Sequence, residues 1–255
     1  MKLSCADTLI KGDNYIEKAL KLKEWGFEGI SISSNGTLWK DDQRNGEVLD
    51  MQKETGIFLA EFTLTGMDFG HLHEDEGEGV EKSVKLGCRS VDLTYYANSG
   101  ITTLSYGGRT PEEEEVKRFA KHMGRICNHA KIKNREVLLE ACNRYETPFC
   151  TTLDRAIEIL KQIPHENVGL TCNLFHMAME EENVAQALKR AGRYVKFVHV
   201  ADSNGRIPGK GFLNWKEIFE SLEEIGYDGY LSLNASGASE EDVKKAATFI
   251  KDFIK

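Results

Sequence analysis

The sequence contains no apolar run that approaches the roughly 18 residues a membrane-spanning helix requires, and its opening stretch, MKLSCADTLIKGDNY, has no apolar segment of signal-peptide length. A membrane partner is therefore not expected, and a cytoplasmic location is. The six cysteines (Cys5, Cys88, Cys127, Cys142, Cys150, Cys172) include no C-x-x-C pair, so neither a zinc knuckle nor a disulfide framework is signalled. Basic residues are in the minority, 33 against 41 acidic, for a net charge of -8. That balance argues against a nucleic-acid partner, whose phosphates need a broad basic face. Prolines number four, all in expected connections or at a helix start, and no low-complexity stretch divides the chain, so residues 1–255 are read as one domain.

What is present is an alternation. Short apolar runs of strand length are followed, from one end to the other, by longer segments with apolar residues at three- and four-residue spacing, the pattern of βα units around a parallel sheet. The runs are KLSCA (2–6), GISIS (29–33), IFLAEF (57–62), SVDLTYY (90–96), EVLLE (136–140), NVGLTC (167–172), VKFVHV (195–200) and YLSLN (230–234). Eight units in 255 residues suit an α/β fold of the closed (β/α)₈ TIM-barrel type better than an open doubly wound sheet. Pro111 and the glutamates behind it fit the start and the positive dipole end of the fourth helix.

In such a barrel the strand ends point at a common centre on the C-terminal face. For strands five to eight those ends bring Glu140, Asn173, His199 and Asn234 together, with His176 close behind strand six. Glu140 closes the apolar run VLL, where an unpaired charge is costly to bury. Trp39, Tyr95, Tyr96 and Tyr106 fall near strand ends, where aromatics wall small-molecule pockets, although packing against outer helices explains them equally well. His71, His73, Glu74 and Asp75 read as a solvated helix start, and His122, Cys127 and His129 as the surface of the long fourth helix. Gly107-Gly108-Arg109 and Gly209-Lys210-Gly211 have the composition of anion-cradling loops but match no Walker or dinucleotide fingerprint.

The segments LLEACNRYET, TCNLFHM, HVADSN and GYLSLNA resemble the xylose-isomerase-like barrel family, in particular its branch of D-tagatose 3-epimerase, hydroxypyruvate isomerase and related sugar isomerases. The resemblance runs from about residue 135 to 235. It implies one divalent ion (Mn²⁺, Mg²⁺ or Co²⁺) at the positions Glu140, Asn173, His199 and Asn234, a substrate-contacting His176 and a further pocket carboxylate at Glu146. It also implies dimers or tetramers formed through helices. The chain departs from the family at the functional face: Asn173 stands for an Asp, Asn234 for a Glu, Gly205 for an Arg with Arg206 one place later, and Phe212 and Asn214 for His and Asp.

Replacing two carboxylates with amides weakens an oxygen-ligand site, whose affinity follows ligand charge count. An asparagine is also no general base, so two-base epimerisation, with one glutamate on each face of the sugar, is impaired if Asn234 fills the second position. The reading is thus a sugar isomerase or epimerase-like enzyme on a small keto sugar or derivative, with Glu140 and His176 catalytic and Glu146, His176 and Arg206 binding substrate. Two alternatives stay open: a carbohydrate-binding barrel without catalysis or without metal, and a partner-dependent lyase on oxidised glycosides.

Overall fold

The computed structural model describes residues 1–34, 42–64, 70–98, 101–105 and 112–254. Trp39, Tyr106, the Gly107-Gly108-Arg109 stretch and Pro111 lie outside the described residues. Eight parallel strands close on themselves in the order β1 to β8: Lys2–Ala6, Gly29–Ser34, Phe58–Leu64, Ile101–Ser105, Val137–Glu140, Val168–Asn173, Val195–Val200 and Tyr230–Leu233. Around them run α1 (Tyr15–Glu24), α2 (Asp42–Thr55), α3 (Glu78–Tyr96), α4 (Glu113–Ile132), α5 (Leu153–Leu160), α6 (Leu174–Glu180), α7 (Val184–Ala191), α8 (Trp215–Glu224) and α9 (Glu240–Lys251). The architecture is a TIM barrel, and no described helix is long and apolar enough to cross a membrane.

Seven of the eight expected strands overlap the observed ones; the fourth does not. SVDLTYY is the last part of α3, and β4 is Ile101–Ser105. The buried residues of α3 include Val80, Val84, Gly87, Val91 and Thr94, a spacing of three and four that continues through the β-branched run without a break. Helical period and tertiary contact override strand propensity there. Tyr95 and Tyr96 consequently sit on the outer surface, 44% and 68% exposed, with the Lys133 ammonium over the Tyr95 ring. His122 also departs from its expected surface position: it is buried in α4, and its Nδ1 lies 2.8 Å from the Leu72 carbonyl.

Side chains alternate along each strand, so every second residue faces the barrel axis. Ala60, Leu138 and Phe197, with Tyr230 against them, form an apolar cluster separate from the main core between strands and helices. Two residues further along their strands come Glu140, His199 and Ser232, so the apolar cluster is a floor and the polar residues stand above it toward the C-terminal face. Gly29 makes room in this floor, for a Cβ there would come within 2.8 Å of the Tyr230 ring. Two register shifts set the phase of the inward residues. Between the pairs Ile30–Leu59 and Ser31–Glu61, Ala60 is an extra residue in β3; between Leu170–Val195 and Thr171–Phe197, Lys196 is extra in β7. Bulges of this kind re-aim the side chains that follow them.

Candidate functional site

Glu140 is the last residue of β5, Asn173 the last of β6, and His199 lies opposite Asn173 in β7. The barrel brings the three into direct contact. Glu140 Oε1 accepts from Asn173 Nδ2 at 3.0 Å and lies 3.0 Å from His199 Nδ1. The other ring nitrogen of His199, Nε2, is 2.7 Å from Oε2 of Glu61, a residue of β3 that the strand-end argument passed over. All four side chains are buried.

Electrostatics follow from this packing. Burial opposes the charge on His199, but Glu61 and Glu140 on either side outweigh it and raise its pKa to about 10. Burial likewise works against the Glu140 carboxylate, yet the His199 charge, with help from His176 and Asn173, brings it down to about 2. At neutral pH the His199 imidazolium therefore sits against the ionised Glu140, with the Glu61 side chain on its other nitrogen. Both bonds to Glu140 land on Oε1, and Oε2 has no hydrogen-bond donor among the described residues.

Beside this centre stands His176, buried in α6. Asn173 caps that helix, its Oδ1 accepting from Phe175 N at 3.2 Å, so one residue both starts α6 and holds Glu140. His176 Nδ1 faces Asn143 Nδ2 at 2.8 Å. The amide orientation of Asn143 is fixed by its Oδ1, which accepts from Tyr145 N at 2.9 Å. An amide NH₂ can only donate, so Nδ1 accepts and neutral His176 carries its proton on Nε2. That Nε2 lies 3.8 Å from Glu146 Oε2.

Glu140, Glu146, Asn173, His176 and His199 line a cavity of about 750 Å³ at the C-terminal ends of the strands, together with Ser31, Glu61 and Ser232. Asn234 lines it too but is exposed, just past the end of β8, and its side chain has no partner among the described residues. Arg206 does not. Gly205, which stands where the resembling family has arginine, lines the cavity; its φ of +73° turns the chain so that Arg206 falls in an adjoining space of about 430 Å³. Phe212 is 79% exposed, and Asn214 caps α8 through Glu217 N.

Two places merit a test as metal holders. Cys142, Glu146 and His176 bring ligand atoms within 4.8 Å of one another, but with Nδ1 taken by Asn143 and a proton on Nε2, His176 offers a donor there and no lone pair. At Glu140 and His199 the chemistry is more suitable. Glu61 holds Nε2 and so aims Nδ1 at Glu140, the orientation a carboxylate gives a metal-ligating histidine. Asn173, whose oxygen is used in capping, and exposed Asn234 add only neutral groups.

A closed eight-stranded barrel with a buried carboxylate–imidazole centre under an open polar cavity defines a class, the TIM-barrel proteins with a site at their strand ends. Residues 19–253 match the xylose isomerase-like TIM barrel family, and the chain belongs to it. A D-psicose 3-epimerase of Enterocloster bolteae is 37% identical over 82% of this chain and 72% of its own length. A 3-dehydro-D-guloside 4-epimerase of Escherichia coli is 26% identical over 91% of this chain and 90% of its own. Among solved structures, a D-allulose 3-epimerase of Methylomonas sp. shares the fold with a TM-score of 0.88 at 21% identity, over 100% of this chain and 98% of that one.

Proposed function

We propose that the chain is a sugar epimerase or isomerase that moves a proton next to the carbonyl of a small keto sugar or keto-sugar derivative. The observation that carries this reading is the state of Glu140: ionised, anchored through Oε1 by Asn173 and His199, and with Oε2 left to accept a proton. Enolisation needs a positioned base and a group that stabilises the oxygen on which charge develops. Glu140 supplies the first. His176, whose Nε2–H is set by Asn143, supplies a hydrogen-bond donor to a substrate oxygen, and Glu146 beside it takes a neighbouring hydroxyl. The named relatives, epimerases of ketoses and of a dehydro-glycoside, support a substrate of this class.

A divalent ion, when bound, would polarise the substrate carbonyl as a Lewis acid. Glu140 and His199 would hold it, with Asn173 and Asn234 as neutral donors, so its hold is weaker than with carboxylates at all three oxygen positions. One carboxylate next to the reacting carbon favours a single-base isomerisation, in which Glu140 takes the proton from one carbon and delivers it to the neighbouring carbon of the enediolate, whereas epimerisation would need a proton donor on the opposite face of the sugar. The exposed Asn234, unable to act as a second base, is the observation that keeps a binding barrel without turnover as the second reading. Incubating D-fructose, D-tagatose and a 3-keto-glycoside with the protein, with and without Mn²⁺, and resolving products by chromatography tests both. New epimers or aldoses that vanish in Glu140→Gln support the enzyme; saturable binding with no product supports the barrel that only binds.

A further inference from the structure

The cavity over Glu140 does not end at the barrel mouth. Asn204, Ser236 and Gly237 line it and also line the adjoining space of about 430 Å³, so the two are contiguous across a shared rim. The second space is built by the loops that follow β7 and β8, the location where TIM barrels commonly place a phosphate. Its cations are Arg206 and Lys210; among the described residues neither side chain lies within ion-pair or hydrogen-bond distance of a partner, although the Lys210 charge is felt by Asp242 across the space.

We propose that this second space binds an anionic group, a phosphate or a carboxylate, at the far end of the keto sugar whose reacting carbon lies over Glu140. The proposal rests on the sugar-epimerase reading for the orientation of the substrate. Three features carry it. The loop bearing the cations is preorganised: Asp202 accepts from Ser203 N and Gly209 N at 2.8 Å, from Leu213 N at 3.2 Å and from Trp215 Nε1 at 3.1 Å. Arg206 and Lys210 are tied to the same turn by their backbones, Arg206 N donating to Asn204 Oδ1 and Lys210 O accepting from Asn204 Nδ2. The rim is low, since Gly237 has no side chain and Ser236 is fixed to the β7 loop through its N–H on Gly205 O at 2.7 Å.

Asp242 is the carboxylate lining this space, and its charge is already engaged: it accepts from Ser239 Oγ at 2.7 Å and Ser239 N at 3.1 Å in the capping box of α9, and Lys210 helps hold its pKa down. Arg206, with no such tie, is left to a ligand. A guanidinium and an ammonium on one rigid turn recognise an anion through charge-assisted hydrogen bonds.

The test is calorimetric titration at low ionic strength with D-fructose, D-fructose 6-phosphate and D-fructuronate, which differ only in the group at the far end. At least one anionic ketose is expected to bind about tenfold or more tightly than D-fructose, the range of a charge-assisted contact, and the advantage is expected to disappear in the Arg206→Ala/Lys210→Ala variant. The two anions distinguish phosphate from carboxylate. Both replaced side chains are exposed, so the melting temperature serves as a check that the variant is folded. Equal binding of all three ketoses, no binding of either anion, or an advantage that survives in the double variant would overturn the proposal. Anion preference without turnover would leave this site standing while the epimerase reading falls; turnover of D-fructose without anion preference would do the reverse.

Discussion

Glu61 Oε2 and His199 Nε2 lie 2.7 Å apart just above the apolar floor of the cavity, both buried, on strands that are not neighbours in the barrel. The pair fixes the imidazole so that its other nitrogen faces Glu140. Removing one partner of a buried ion pair leaves an uncompensated charge, so Glu61→Ala is expected to cost about 3–5 kcal/mol in urea unfolding. Glu61→Gln is expected to cost less, because the amide oxygen still accepts from Nε2–H.

Stability should also depend on pH in a defined direction. His199 has a folded pKa raised from 6.5 to about 10, so its contribution is fully present below pH 6.5 and is lost as pH rises through about 10. Glu140 is lowered from 4.5 to about 2; its contribution is present above pH 4.5 and lost as pH falls through about 2. The expected result is a denaturation midpoint that declines steadily between pH 6.5 and 10, measured alongside the ring signals of His199 by NMR. A ring that titrates near 6.5 would contradict it.

Asn143→Asp reverses one hydrogen bond at almost constant shape. An aspartate accepts where the amide donates, which moves the neutral His176 proton from Nε2 to Nδ1 and turns Nε2 into an acceptor. Turnover is expected to fall by about 100-fold, in the range for loss of a positioned proton donor, with a smaller change in KM. The ¹⁵N shifts of the ring report the tautomer and separate this effect from simple misfolding.

Much of this site was legible in the sequence because strands five to eight end where their apolar runs end, and the topology of a barrel then fixes which residues meet. Glu140, Asn173 and His199 are in contact for that reason. Glu61 was missed because it sits inside FLAEFTL, not at its end, and the extra residue Ala60 sets its phase. Yet the cost of burying a lone carboxylate, the argument that singled out Glu140, applied to it equally. The helix that absorbed SVDLTYY was hidden because its β-branched residues have strand propensity one by one, while its buried spacing is visible only over the whole of α3. The position of Arg206 depended on the backbone of Gly205, which residue identity alone does not set.

The amides at the two altered positions make a gain-of-affinity test available. Mn²⁺ is expected to bind weakly to the protein as it stands and to release a proton, since ligation by His199 Nδ1 requires that nitrogen to be unprotonated. Asn173→Asp with Asn234→Glu is expected to tighten Mn²⁺ binding by about tenfold or more for each added carboxylate, read by calorimetry in two buffers of different ionisation heat.

The central claim is that Glu140 removes a proton from the carbon next to a sugar carbonyl, and hydrogen exchange in D₂O measures that step without requiring a net product. NMR of a bound keto sugar is expected to show deuterium entering at that carbon, at a rate about 100-fold or more slower in Glu140→Gln. Wash-in at the same rate in Glu140→Gln, or none in the unaltered protein with a ketose it binds, would contradict the account.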